Sequence, residues 1–137
     1  MTKLVKSKLD NKKILHIYFN KSSFENRQDL CDPKEYLQVA ALKLNKKKFQ
    51  AHAHHWRENN NEKLIAQESW IVIKGKVKIY YYDTDGVLLE TTVLNQGDCT
   101  ITLEGGHNYE VLEDDTLVYE VKSGPYEGQT KDKFFIK

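Results

Sequence analysis

Three of the chain's five histidines, His52, His54 and His55, fall within four positions, while His16 and His107 stand far from them. A neutral imidazole nitrogen is a common ligand for divalent metals, and two on one face can grip an ion. The stretch Phe49-Gln-Ala-His-Ala-His-His reads as a short strand, on which residues i and i+2 share a face. His52 and His54 therefore project together, opposite Ala53 and His55. His-x-His alone is a weak signal, but two more residues strengthen it. Glu68 opens a segment that is otherwise apolar on both faces (Trp70, Ile71, Val72, Ile73). A carboxylate there needs a partner, because burying an unpaired charge is costly. His107 follows Gly105-Gly106 and begins another strand. Three imidazoles and one carboxylate meeting inside a barrel make four ligands, and a six-coordinate metal keeps two positions for water, substrate or dioxygen.

Such a meeting requires strands that fold back on one another, and the pattern supplies them. Val77, Ile79 and Tyr81 alternate with Lys76, Lys78 and Tyr80; Asp83-Thr-Asp-Gly offers a hairpin turn; residues 87–94 return. Asn95-Gln-Gly-Asp turns the chain into Cys99, Ile101 and Leu103, and Glu113-Asp-Asp separates His107, Tyr109 and Val111 from Leu117, Tyr119 and Val121. Tyr36–Leu44 is ambiguous between helix and strand; its short apolar run and missing helix stop favour a strand. Ile14–Phe19 is apolar on both faces and predicts a strand buried on both, with His16 structural. Asn20–Lys34 is polar and irregular, with turn chemistry and room for one helical turn. Residues 56–67 form a polar loop, either a lid over the barrel mouth or a solvated or dimer-contacting segment. Short strands with frequent turns predict an all-β antiparallel sandwich or barrel.

With 137 residues and 16.0 kDa, the expectation is one domain spanning 1–137. No run approaches the ~18 apolar residues of a membrane helix, and MTKLVKSKLDNKK lacks the apolar stretch of a secretion signal. The 21 basic and 20 acidic residues leave a formal charge of +1, no electrostatic case for binding nucleic acid. Charge is uneven: residues 1–50 hold 12 Lys/Arg and 5 Asp/Glu, against 9 and 15 in residues 51–137. That asymmetry fits either attraction between subunits or two solvated faces. Cys31 and Cys99 form no CxxC pair, which excludes a cysteine-only zinc site and, without a signal segment, favours free thiols and the cytoplasm.

These residues together resemble the cupins, small jelly-roll barrels that often hold a metal on a His-x-His pair, a Glu and a later His. His52-Ala53-His54 matches the pair. Glu68, six residues and Gly75 match the end of the first motif, and Gly97-Asp98 leading to His107 matches the second. The resemblance spans residues 36–121. It implies His52, His54, Glu68 and His107 as metal ligands and a divalent ion (iron, manganese, zinc or nickel) as cofactor. It also implies a small polar substrate such as a sugar or sugar derivative, and a homodimer, with Leu15, Ile17 and Phe19 as a candidate contact. The alternatives are a cupin that binds a small ligand or metal without turnover, and a metal-free sugar isomerase or epimerase. The chain departs from the pattern in three places. Thirteen residues, 55–67, separate His54 from Glu68; Leu103 stands where the second motif has proline; and the approach to His107 is one residue shorter. These departures keep His55 open as an alternative to His54.

Overall fold

Alternating apolar and polar residues build nearly every element of this chain as strand. The computed structural model describes residues 2–21, 26–59 and 62–137. The strands are β1 (Thr2–Lys6), β2 (Ile14–Phe19), β3 (Arg27–Asp29), β4 (Leu37–Leu44), β5 (Lys47–Lys48), β6 (His52–His54), β7 (Trp56–Asn59) and β8 (Glu62–Ile65). There follow β9 (Glu68–Lys74), β10 (Val77–Tyr82), β11 (Leu88–Leu94), β12 (Cys99–Thr102), β13 (Gly106–Val111) and β14 (Thr116–Ser123). A single helical turn, α1 (Gln129–Asp132), leads into β15 (Lys133–Phe135). The ambiguous segment around Tyr36 is a strand, and no described helix is long and apolar enough to cross a membrane. Cys31 and Cys99 are free thiols.

Two antiparallel sheets carry the site. One runs β11-β10-β13-β6-β15, with β5 also paired to β13; the other runs β12-β9-β14-β4-β3. Their inner faces supply one core: Ala40, Leu42, Trp70, Val72 and Val118 from one sheet meet Val77, Ile79, Leu94 and Tyr109 from the other. Interdigitation of two such faces is what holds a jelly roll together. Among the described residues neither sheet closes on itself through hydrogen bonds, so the barrel is a pair of facing open sheets.

Gly75 makes the turn from β9 to β10. Its φ is +95°, and an added Cβ would fall 2.9 Å from the Thr116 Cα. A Gly75→Ala variant meets both left-handed strain and a backbone clash. It is expected to lose roughly 2–3 kcal/mol of stability in urea denaturation; an unchanged midpoint would contradict this packing.

Several expectations change. β2 is a strand, but it is largely exposed: among the described residues its strand partner is β1, and Ile14, Leu15 and Tyr18 are 47%, 50% and 50% exposed. His16 is correspondingly exposed and fills no core position. The hairpin touches the body through the Phe19 and Tyr119 rings and a hydrogen bond from Gln28 to Thr2. The expected loop 56–67 contains two paired strands, β7 and β8, with Trp56 opposite Ile65 and Arg57 opposite Leu64; residues 60–61 lie outside the described residues. A two-stranded ribbon tolerates the polar residues that disguised it, and Arg57 ties it down by donating to the Pro125 carbonyl at 2.9 Å. Among the described residues of the Asn20–Lys34 segment the regular element is the strand β3 and not a helical turn; residues 22–25 lie outside the described residues. Finally, β3 and β15 extend the two sheets beyond the 36–121 span of the resemblance.

Candidate metal centre

Strand register brings the four residues together. His107 on β13 stands directly opposite His52 on β6, and His54 lies two residues along on the same face. Glu68 is the first residue of β9 on the facing sheet, flanked by Thr102 of β12 and Lys122 of β14. His107 Nε2 lies 2.9 Å from His52 Nε2 and 3.0 Å from Glu68 Oε2, and His54 Nε2 lies 4.0 Å from Glu68 Oε1. All four ligand atoms fall within 4.8 Å of one another, and all four residues are buried.

The outer nitrogens decide which way the inner ones face. His52 Nδ1 donates to the Gln50 carbonyl at 3.2 Å, and His54 Nδ1 donates to the Asp132 carboxylate at 3.2 Å. Both partners can only accept, so both rings carry their proton on Nδ1 and direct a bare Nε2 inward. His107 Nδ1 is held at 2.7 Å by the Thr102 hydroxyl. Glu68 Oε2 accepts from the Tyr109 hydroxyl at 2.6 Å, and the Tyr109 ring is stacked on Trp70 at 3.7 Å. Trp70 in turn donates to Glu120, which also accepts from Arg27.

These contacts fit a divalent cation. Ligands about 2.1 Å from an ion sit about 3–3.4 Å from their neighbours and about 4 Å from an opposite partner; the contacts of 2.9, 3.0 and 4.0 Å are on that scale, and the outer limit of 4.8 Å requires only a small inward shift of one side chain. His54 Nε2 is buried without a hydrogen-bond partner. A buried acceptor left unsatisfied costs free energy, and coordination would satisfy it. An outer hydrogen bond on every ligand is the arrangement that fixes imidazole and carboxylate orientation around an ion.

Electrostatics point the same way. Burial, then the nearby charges of His107 and Lys133, hold His52 down at about 4 against the pull of Glu68, so its imidazole is neutral and able to ligate at neutral pH. Burial pushes the Glu68 carboxyl up, but the hydrogen bond and charge of His107, the Tyr109 hydroxyl and the charge of His54 outweigh it and hold it well below the usual range. Burial and Glu68 push the Tyr109 phenol well above its usual value, which keeps it a donor. For Asp132, burial raises the carboxyl, but His54 and Lys122 bring it to about 2.

A pH prediction follows for the metal-free protein. Between about 6.5 and 4 the unfolded chain protonates His52 while the folded chain does not. Stability therefore falls as pH drops through that window, by roughly 3 kcal/mol at most. Asp132 acts in the same direction at lower pH: its contribution is present above 3.8 and is lost as pH falls toward 2. Urea midpoints of chelator-treated protein at pH 7, 5.5 and 4.5 should decline; a flat series would contradict a neutral His52.

The structure brings His54, not His55, to the other three. His55 is half-buried on the opposite face of β6, its ring 4.8 Å from Phe134. Sequence reasoning missed Asp132, because it lies beyond the expected core. The short apolar run Phe134-Phe135-Ile136 was the signal that a strand followed it. Thr102 went unnoticed because a threonine in an alternating strand carries no mark of its inward partner.

No family model matches the chain, and no curated protein is significantly similar to it in sequence. Solved structures are similar in fold. CapF, solved with the inhibitor 3-isopropenyl-tropolone, matches with a TM-score of 0.64 at 16% identity over 86% of this chain and 33% of its own. An uncharacterized conserved protein with a double-stranded beta-helix domain from Klebsiella pneumoniae matches at 0.55 and 15% identity, over 88% of this chain and 91% of its own. Oxalate decarboxylase from Bacillus subtilis, an enzyme with Mn(II) centres, matches at 0.56 and 17% identity over 75% of this chain. The chain thus spans about a third of CapF and about a quarter (24%) of oxalate decarboxylase. Facing antiparallel sheets, the strand order and these neighbours together identify the fold of the chain as the double-stranded β-helix of the cupins.

Proposed function

We propose that this chain is a metal-dependent cupin whose His52, His54, Glu68 and His107 hold one divalent ion and whose cavity takes a small polar molecule. One observation carries the proposal: the inward Nε2 atoms of three tethered imidazoles converge on a buried carboxylate, one of them with no hydrogen-bond partner. The ligand set does not select one metal. The manganese of oxalate decarboxylase makes Mn(II) the first ion to test, beside iron, zinc and nickel. When bound, such an ion supplies Lewis acidity or a site for dioxygen.

The chain's own residues do the rest. His52, His54 and Glu68 open onto a cavity of about 630 Å³, lined also by Trp70, Tyr109, Glu120, Lys122 and Phe135, a size suited to a small organic molecule. Tyr109 holds Glu68 in place through its hydroxyl. Trp70 packs against Tyr109 and keeps water from that side of the carboxylate. A sugar or sugar derivative is a substrate class to include, on family resemblance.

A second reading has its own support. Among the described residues every carboxylate on the cavity wall is already engaged: Asp29 and Glu120 by Arg27, Asp132 by Lys122 and His54, Glu68 by His107. A wall without an idle general base suits a module that binds without turnover. Elemental analysis of protein purified without an affinity tag, followed by a turnover screen over sugars, keto acids and thiols, tests both. About one metal per chain with turnover supports the enzyme, and metal with ligand affinity but no turnover supports the binding module. No metal after reconstitution overturns the metal-dependent enzyme; ligand affinity without turnover then leaves a metal-free binding module, and sugar turnover leaves the metal-free isomerase.

A further inference from the structure

We propose that Lys133 is the anion-recognising residue of this cavity and that the ligand taken there is a small organic carboxylate. The inference rests on the reading of the cavity given above and names its ligand class. It comes from the register of β15, which pairs Lys133 with His54 and Phe135 with His52. Cross-strand partners stand on the same face of a sheet, so Lys133 and Phe135 project beside the two imidazoles, and all four line the cavity. Lys133 is half-buried, with its ammonium 5.8 Å from the centre of the Phe135 ring.

The charges on the wall single Lys133 out. Arg27 is paired with Asp29 at 2.9 Å and Glu120 at 3.0 Å, and Lys122 is paired with Asp132 at 2.9 Å. Among the described residues Lys133 is the one cation lining the cavity that no carboxylate neutralises. A partly desolvated ammonium without a counter-charge is unfavourable until an anion arrives. One unpaired cation beside a ligand set with open positions suits a ligand with one carboxylate. Lys131, two residues earlier, is exposed and lines no part of the cavity.

The test uses cobalt-loaded protein titrated with lactate and with lactamide, which differ in the carboxylate alone, followed by the Co(II) absorption band. Wild type, Lys133→Gln, Lys133→Arg and the exposed control Lys131→Gln are compared, with cobalt stoichiometry measured for each. Lysine–carboxylate pairing of this kind is expected to contribute about tenfold or more in affinity. Lactate should therefore bind Lys133→Gln about tenfold more weakly than wild type, with cobalt content and lactamide affinity unchanged. Lys133→Arg should recover most of the loss, and Lys131→Gln should match wild type. Equal lactate affinity in wild type and Lys133→Gln, both cobalt-loaded, would overturn the role of Lys133 and leave the metal reading intact. If wild type holds no cobalt, the metal reading fails. The same lactate titration by calorimetry then decides: binding lost in Lys133→Gln supports Lys133, and binding absent or unaltered overturns it.

Discussion

A His107→Ala variant is expected to bind divalent metal at least about a hundredfold more weakly than the parent chain, the largest effect of any single substitution here. His107 is the residue on which the cluster closes. Its Nε2 lies within 3.0 Å of both His52 Nε2 and Glu68 Oε2, so its removal takes away one of the four converging side chains and opens the space between two others. The change also strands Glu68, which keeps Tyr109 but loses its closest nitrogen. Removing one partner of a buried charged pair commonly costs about 3–5 kcal/mol, so the metal-free variant should also unfold at lower urea. Metal at a thousand times its dissociation constant stabilises a folded chain by about 4 kcal/mol; that increment should appear in wild type and vanish in His107→Ala. His55→Ala is the matched control, because its ring packs on Phe134 outside the cluster. Chelator competition with elemental analysis reads the affinity. A variant that retained full metal affinity would remove His107 from the ligand set.

The second large effect is expected at Asp132, which contributes no ligand atom to the cluster. Its carboxylate accepts from His54 Nδ1 at 3.2 Å and from Lys122 Nζ at 2.9 Å. It thereby fixes the ring orientation of one ligand and joins α1 and β15 to the sheet that carries Glu68. Partners of this kind typically change metal affinity by about 10–100-fold when removed. Asp132→Ala should fall in that range and also lose stability, since Lys122 is left largely buried without its counter-charge. Asp132→Asn should lie between the two, because its amide oxygen can still accept from His54 while the charge is gone. Chelator competition at pH 7.5 orders the three proteins. Identical affinities would show that His54 is oriented by packing alone.

Much of this centre was legible in the residues themselves, because a strand's period of two is short and strict. His52 and His54 had to share a face, and Glu68 stood out as a carboxylate in an apolar strand. Glu68 to Gly75 kept a spacing that the positive φ of Gly75 now explains. What could not be read was which layers would cover which strands. Ile14–Phe19 has the composition of a doubly buried strand, but burial depends on neighbours, and among the described residues β1 is the one strand it pairs with. Residues 56–67 look like a solvated loop because a two-stranded ribbon needs no apolar face. The tie between His54 and Asp132 joins residues 78 positions apart, and no local pattern announces such a pair. The choice between His54 and His55 was likewise set by how β6 turns toward β13, a matter of sheet pairing and not of composition.

The most direct measurement is an anomalous-difference map of crystals grown from protein reconstituted with manganese. The account predicts a single strong peak per chain, about 2.1 Å from the Nε2 atoms of His52, His54 and His107 and from a Glu68 carboxylate oxygen. A map with no peak among those four side chains, or with its main peak elsewhere on the chain, would contradict it.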